Sequence, residues 1–319
     1  MDKSYSVPRR IWRILYPPLI FIAVQIIVMG VAGIIVGVSF AMKGATAEMI
    51  TNDTSAFMEE ILRFATEHSV LILLISDIIC YFIFLPMWLR TRDQLEPYKN
   101  SKPGAVGLLV IGLFAAFNIV QMIIFTLIDI SRYFPSYGEV TELLVTDSFI
   151  LQILTVGIAA PVVEELVFRG IVMNRMMKWM PVWVSVLIQG LLFGLVHLNI
   201  FQGMYAFVAG ILLGMVYVKF RSIIIVMVGH MAYNMTSILL VEFTSETVAG
   251  AVVVLSLVVL PVCAIFTIRR RKAIKTVAGP DILPPPVYAP AGPWLDNAQA
   301  SLWPPDASPE QEQYNGTDI

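Results

Sequence analysis

The sequence is poor in charge. Only 14% of its 319 residues are Asp, Glu, Lys or Arg, against about 25% in an ordinary soluble domain. Hydrophobic residues make up 58%, and they arrive in runs of about twenty, the length a helix needs to cross hydrocarbon. A water-soluble core does not explain that balance. The net charge is −2, and the charges sit at the edges of apolar runs, which leaves no surface suited to nucleic acid. Cysteine is equally scarce: Cys80 and Cys263 both lie in apolar runs, where a thiol packs as a small hydrophobe. There is no Gly-rich phosphate loop, no HExxH helix, no Cys/His finger and no internal repeat.

What is present is a set of eight apolar segments, at about 14–42, 70–89, 104–128, 148–174, 182–198, 203–218, 222–241 and 247–268, each read as a membrane span. Pro17 and Pro18 mark a kink in the first span or its beginning. The expected fold is all-α, a polytopic membrane bundle of about eight helices. Loop charge supports the count, because Lys and Arg concentrate on the cytoplasmic side. The N-terminus, the loop Arg90–Lys102, the region of Arg175 and Lys178, the Lys219/Arg221 turn and the run Arg269–Lys272 are basic. All fall on one side of an eight-span arrangement. The opposite loops carry Glu48, Asp53, Glu59, Glu60 and Glu67, then Glu139, Glu142 and Asp147, then Glu242 and Glu246. Both termini are therefore expected in the cytoplasm of a multi-pass cell-membrane protein. The acidic first loop reads as solvated, with His68 an ordinary surface histidine. Residues 1–272 form the membrane domain. Residues 273–319 are a Pro-rich tail that cannot bury enough apolar surface to fold alone. Trp294 and Trp303 read as incidental aromatics of a solvated tail, with docking of a partner the alternative.

Ionisable groups inside spans cost about 2.5–3.5 kcal/mol each on insertion scales and usually mark function. The fourth span carries Glu164, Glu165 and Arg169, the fifth Phe193 and His197, the seventh His230 and Asn234. Two of the three histidines thus lie in spans. Glu165 and Arg169 are four apart and share a helix face, so they can neutralise each other. Glu164 is turned about 100° away and lacks that partner. A carboxylate so placed suits a general base. His230 and Asn234 share a stripe and can both donate to an oxygen, while Phe193 walls the His197 ring from lipid. Taken singly, each group has a structural reading: an ion pair, a satisfied histidine, an interhelical amide. Together they supply what water activation and oxyanion stabilisation need. Asp77, Asn118 and Gln121 read as interhelical bonding groups or cavity lining. Helix-end counting puts Glu164 and His230 at middle to cytoplasmic depth and His197 nearer the external face.

The set Glu164-Glu165-x-x-x-Arg169, Phe193-x-x-x-His197 and His230-x-x-x-Asn234, in this order on separate spans, resembles the CAAX-processing and bacteriocin-processing (CPBP, or Abi) family of intramembrane proteases. The resemblance covers roughly residues 147–241. It implies endopeptidase hydrolysis of a membrane-associated peptide or protein, with Glu164 as general base assisted by His197. It also implies an oxyanion site at His230 and Asn234, with Glu165 and Arg169 orienting their helix. Glu164, His197 and His230 are also the ligand types of an open zinc site, so a divalent metal is one reading of the cofactor, and a metal-free glutamate mechanism is the favoured one. The reading from another class is a proton-coupled transporter, or a non-catalytic membrane binding protein, using the same Glu/His cluster. Its usual companions, paired broken helices in two related halves, are not visible.

Reporters fused within residues 90–102 and after Lys275 are expected on one side of the membrane, with a reporter near Glu139 on the other. A 90–102 reporter on the same side as the Glu139 reporter removes the eight-span arrangement. Deletion of residues 280–319 is expected to leave expression and detergent stability nearly unchanged.

Overall fold

The computed structural model describes residues 6–42, 54–92, 103–134 and 148–243. The span expected at 247–268 and the Pro-rich tail lie outside the described residues. Within them the chain is helical, without strands: α1 (Val7–Met42), α2 (Thr54–Glu67), α3 (Ser69–Arg92), α4 (Pro103–Ile128), α5 (Phe149–Met176), α6 (Val182–Leu195), α7 (Ile200–Phe220) and α8 (Ile223–Phe243), with a one-turn helix Ile130–Tyr133 after α4. Six of these helices, α1, α3, α4, α5, α7 and α8, are long and apolar enough to span a membrane. The chain is an integral membrane helix bundle.

Three expectations need correction. The helix α1 does not begin at the proline pair; it begins at Val7 and runs through Pro17 and Pro18. Pro17 has no N–H to give the Arg13 carbonyl one turn earlier, and that carbonyl accepts instead from Arg175 Nη1 of α5. The acidic first loop contains a helix, α2, and His68 is not a free surface ring: it is half-buried, stacks on Phe64 at 4.2 Å and sets Nδ1 3.1 Å from the Phe64 carbonyl oxygen. The fifth segment is not a full span. Its helix α6 has 14 residues, a rise of about 21 Å where the hydrocarbon core is about 30 Å.

The helix α5 is the most buried of the six long spans and packs against α1, α3, α6 and α8. The reason is compositional: from Leu166 to Met173 every residue is buried, apolar groups on all sides and Arg169 among them. It is also irregular, with π-helical turns at Ile153–Ala159 and Leu166–Met173. Pro161 explains the first, since it lacks an N–H and clashes with the carbonyl four residues back. The ladder widens, and Ala160 N–H bonds Thr155 O, five residues back.

Helices α6 and α7 approach through glycine. A Cβ on Gly194 would stand 2.5 Å from the Gly203 carbonyl oxygen, and one on Gly210 would stand 3.0 Å from Gly190 Cα. Both contacts are to backbone, so neither can be relieved by a side-chain rotation. Small residues set at this kind of spacing let membrane helices touch through their backbones. Gly194→Ala is expected to cost about 1–3 kcal/mol by overpacking, read as a lower unfolding temperature in detergent. Gly33→Ala, where a Cβ meets nothing within 4 Å, is expected to leave that temperature unchanged or raise it.

Candidate active site

The cluster is assembled around one fully buried oxygen. Glu165 Oε1 accepts from Arg169 Nη1 at 2.8 Å and from His230 Nδ1 at 2.8 Å, and Glu165 and Arg169 have no exposed side-chain surface. One carboxylate oxygen therefore links α5 to α8. Arg169 reaches further: its Nη2 donates to the Gly210 carbonyl of α7 at 3.0 Å, and its guanidinium lies 4.7 Å over the Phe193 ring of α6. Gln189 Nε2 donates to the same Gly210 carbonyl at 2.7 Å. That carbonyl is reachable because residue 210 carries no side chain.

Phe193 is the hub of the aromatic packing. Its ring meets His197 edge-on at 5.0 Å, His230 at 5.7 Å and Phe168 at 5.1 Å. The ring thus supports both imidazoles, beyond the single wall expected for His197.

His197 does not sit in a span. It follows the short α6, in the turn before the Asn199 N-cap of α7. Leu198 takes the left-handed conformation, φ 55°, a costly choice for a branched side chain, and turns the chain directly after the histidine. Because α6 stops about 21 Å from its start, the chain turns early and His197 lines the same cavity as Glu164 and His230. This resolves the mismatch that counting along a full-length span produced. His197 Nδ1 lies 2.7 Å from the Phe193 carbonyl oxygen. A carbonyl only accepts, so Nδ1 carries the proton and Nε2 is left with its lone pair.

Glu164 differs from its neighbour. Its side chain is 13% exposed against 0% for Glu165, and Oε2 stands 3.6 Å from His230 Nε2, beyond a normal hydrogen bond. Asn234 Nδ2 donates to the Val156 carbonyl at 2.7 Å. That carbonyl lies in the widened turn ahead of Pro161, which has no N–H to offer it. Asn234 keeps a second N–H.

A cavity of about 290 Å³ is lined by Glu164, His197, His230 and Asn234 together. Asp77, expected as cavity lining or a bonding group, is on its wall, as is Gln121, which accepts from Tyr233 Oη at 2.6 Å. Asn118 makes an interhelical bond, donating to Ser237 Oγ at 2.8 Å. Sequence reading passed over Gln25, Gln202 and Tyr205, which also line the cavity. A glutamine inside the otherwise apolar run of α1 was a usable signal for the first; the other two sit near a helix end, where polar residues are unremarkable. Among the described residues no three His, Cys, Asp or Glu side chains group as a metal site. The trio Glu164, His197 and His230 shares a cavity without forming a three-ligand cluster, so it does not fit a zinc site as it stands.

No curated protein and no solved structure matches the chain. Residues 146–236 match the family model described as type II CAAX prenyl endopeptidase Rce1-like. That interval contains Glu164, Glu165, Arg169, Phe193, His197, His230 and Asn234, so every candidate site residue lies in the part of this membrane chain that is similar to that family.

Proposed function

We propose that the chain is a membrane-embedded endopeptidase that hydrolyses a peptide bond of a membrane-associated peptide or protein with a glutamate-activated water. The observation that carries this reading is the gathering of Glu164, His197, His230 and Asn234, from α5, the α6–α7 turn and α8, on one cavity. Glu164 is the partly exposed carboxylate of the pair, while Arg169 and His230 hold Glu165 behind it.

The chemistry follows from the donors and acceptors. Glu164 takes a proton from a cavity water, and His197 Nε2, unprotonated, accepts the water's other hydrogen and orients it. The oxygen adds to the scissile carbonyl carbon, and the carbonyl oxygen becomes an oxyanion. A His230 ring protonated at both nitrogens gives Nδ1–H to Glu165 and Nε2–H to that oxyanion. The second N–H of Asn234 joins it there. Glu164 then returns its proton to the amide nitrogen, the oxyanion re-forms the carbonyl as the C–N bond breaks, and an amine and a carboxylic acid leave. Glu165 and Arg169 are positioning residues: they fix the helix α5 and aim His230 from behind.

Two substitutions separate the glutamates. Glu164→Gln keeps the size and removes the base, so turnover is expected to fall about 10²–10⁴-fold with unfolding temperature nearly unchanged. Glu165→Gln leaves Arg169 without its buried anion, a loss of about 3–5 kcal/mol, and frees His230; poor folding is its expected first symptom. Adding Arg169→Met is expected to recover part of that stability without restoring activity, since His230 still lacks its acceptor. The measurements are detergent thermal unfolding and cleavage of an accepted peptide. A fully active Glu164→Gln beside a well-folded but dead Glu165→Gln reverses the two roles.

A further inference from the structure

Asp77 of α3 is a buried carboxylate that the mechanism above does not use. It is 1% exposed, and neither of its oxygens has a hydrogen-bond partner. It lies on the wall of the cavity that holds Glu164, His197 and His230. Such a group is expensive, because a carboxylate removed from water keeps its desolvation cost unless a donor or a cation compensates it. Among the described residues lining the cavity there is no Lys and no Arg. The one nearby guanidinium, Arg169, is engaged by Glu165, the Gly210 carbonyl and the Phe193 ring. His197 turns its Nδ1 to the Phe193 carbonyl, while His230 holds Glu165 through Nδ1 and faces Glu164 through Nε2 at 3.6 Å. The cavity thus presents two carboxylates and no Lys or Arg; Glu164 has His230 beside it, and Asp77 has no hydrogen-bond partner among the described residues. A cationic group on an entering molecule can supply the partner that Asp77 lacks.

From this arrangement we infer that the cavity selects peptides carrying a Lys or Arg side chain close to the bond that is cut, with Asp77 as the residue that pairs with it. The inference rests on the endopeptidase reading and names its substrate class. A charge-assisted bond in a water-poor cavity is stronger than the same bond at a surface. A peptide with an acidic residue at that place meets Asp77 and Glu164 as like charges, and like charges brought together at an interface reject the partner. Asp77 is accordingly a specificity-determining residue, and its loss acts on substrate choice more than on the rate of the chemical step.

The test uses the full chain in lipid nanodiscs and three fluorescent apolar peptides that are identical except for Lys, Gln or Glu at one central position. Binding is read by anisotropy and hydrolysis by mass spectrometry. The Lys peptide is expected to bind about tenfold more tightly than the Gln peptide, and the Glu peptide most weakly. Asp77→Asn is expected to abolish the Lys-over-Gln preference while turnover of bound Gln peptide is kept; Asp77→Glu is expected to retain the preference. Equal binding of the Lys and Gln peptides by the natural chain overturns the inference, as does a Lys preference that survives in Asp77→Asn. The comparison on the natural chain needs no variant, so it decides even where a variant does not fold. Lys-selective binding without hydrolysis of any peptide overturns the endopeptidase reading and leaves the cation site standing. Hydrolysis of all three with the same KM does the reverse.

Discussion

Glu165 Oε1 accepts two charge-assisted hydrogen bonds, from Arg169 and from His230, where neither Glu165 nor Arg169 has exposed surface. In a membrane bundle there is little hydrophobic drive between helices, because lipid is as apolar as leucine. The polar contacts consequently decide how helices sit against one another. Through this oxygen α5 is joined to α8, and through Arg169 the link continues to the Gly210 carbonyl of α7 and the Phe193 ring of α6. Four helices are referenced to a single ion pair. Breaking a buried pair by removing one partner is strongly destabilising. The same contact turns His230 so that its second nitrogen faces Glu164.

A second constraint is backbone satisfaction. Away from water every carbonyl needs a donor, and prolines inside helices remove donors. At two places the bundle answers with a side chain from another helix. Arg175 donates to the Arg13 carbonyl that Pro17 leaves open, and Asn234 donates to the Val156 carbonyl in the turn that Pro161 widens. The Gly170 carbonyl, in the other π-helical turn, accepts from Asn174 Nδ2 at 2.9 Å and Thr91 Oγ1 at 3.3 Å. The irregularity of α5 is thus compensated by contacts between helices. In the case of Asn234 that compensation also places an amide at the cavity.

The short helix α6 supplies the remaining geometry. A spanning helix would have carried His197 toward the far face, whereas fourteen residues and a left-handed Leu198 return the chain early. Close glycine contacts seat α6 against α7, so Phe193 reaches Arg169 and both histidines at once. The outcome is a cavity whose lining includes Glu164, His197, His230, Asn234 and Asp77.

Much of this was written in the sequence, for reasons of solvent and spacing. Apolar runs of spanning length can belong only in lipid, which determined the helical membrane class. The four-residue interval between Glu165 and Arg169 determined that they could pair and that Glu164 pointed elsewhere. The three motifs pointed to the family whose model matches residues 146–236. Spacing along one helix, however, says nothing about partners on another. Only the tertiary structure decided that His230 bonds Glu165 more closely than Glu164, that Asn234 holds a proline-freed carbonyl, and that Phe193 supports three polar groups. It also decided that His197 lines the same cavity, because hydropathy counts apolar residues and cannot see where a helix ends inside an apolar run. Asp77 shows the division most simply: its cost in a span was legible from the residue type, but that it faces the same cavity as Glu164, with no partner of its own, is a property of packing.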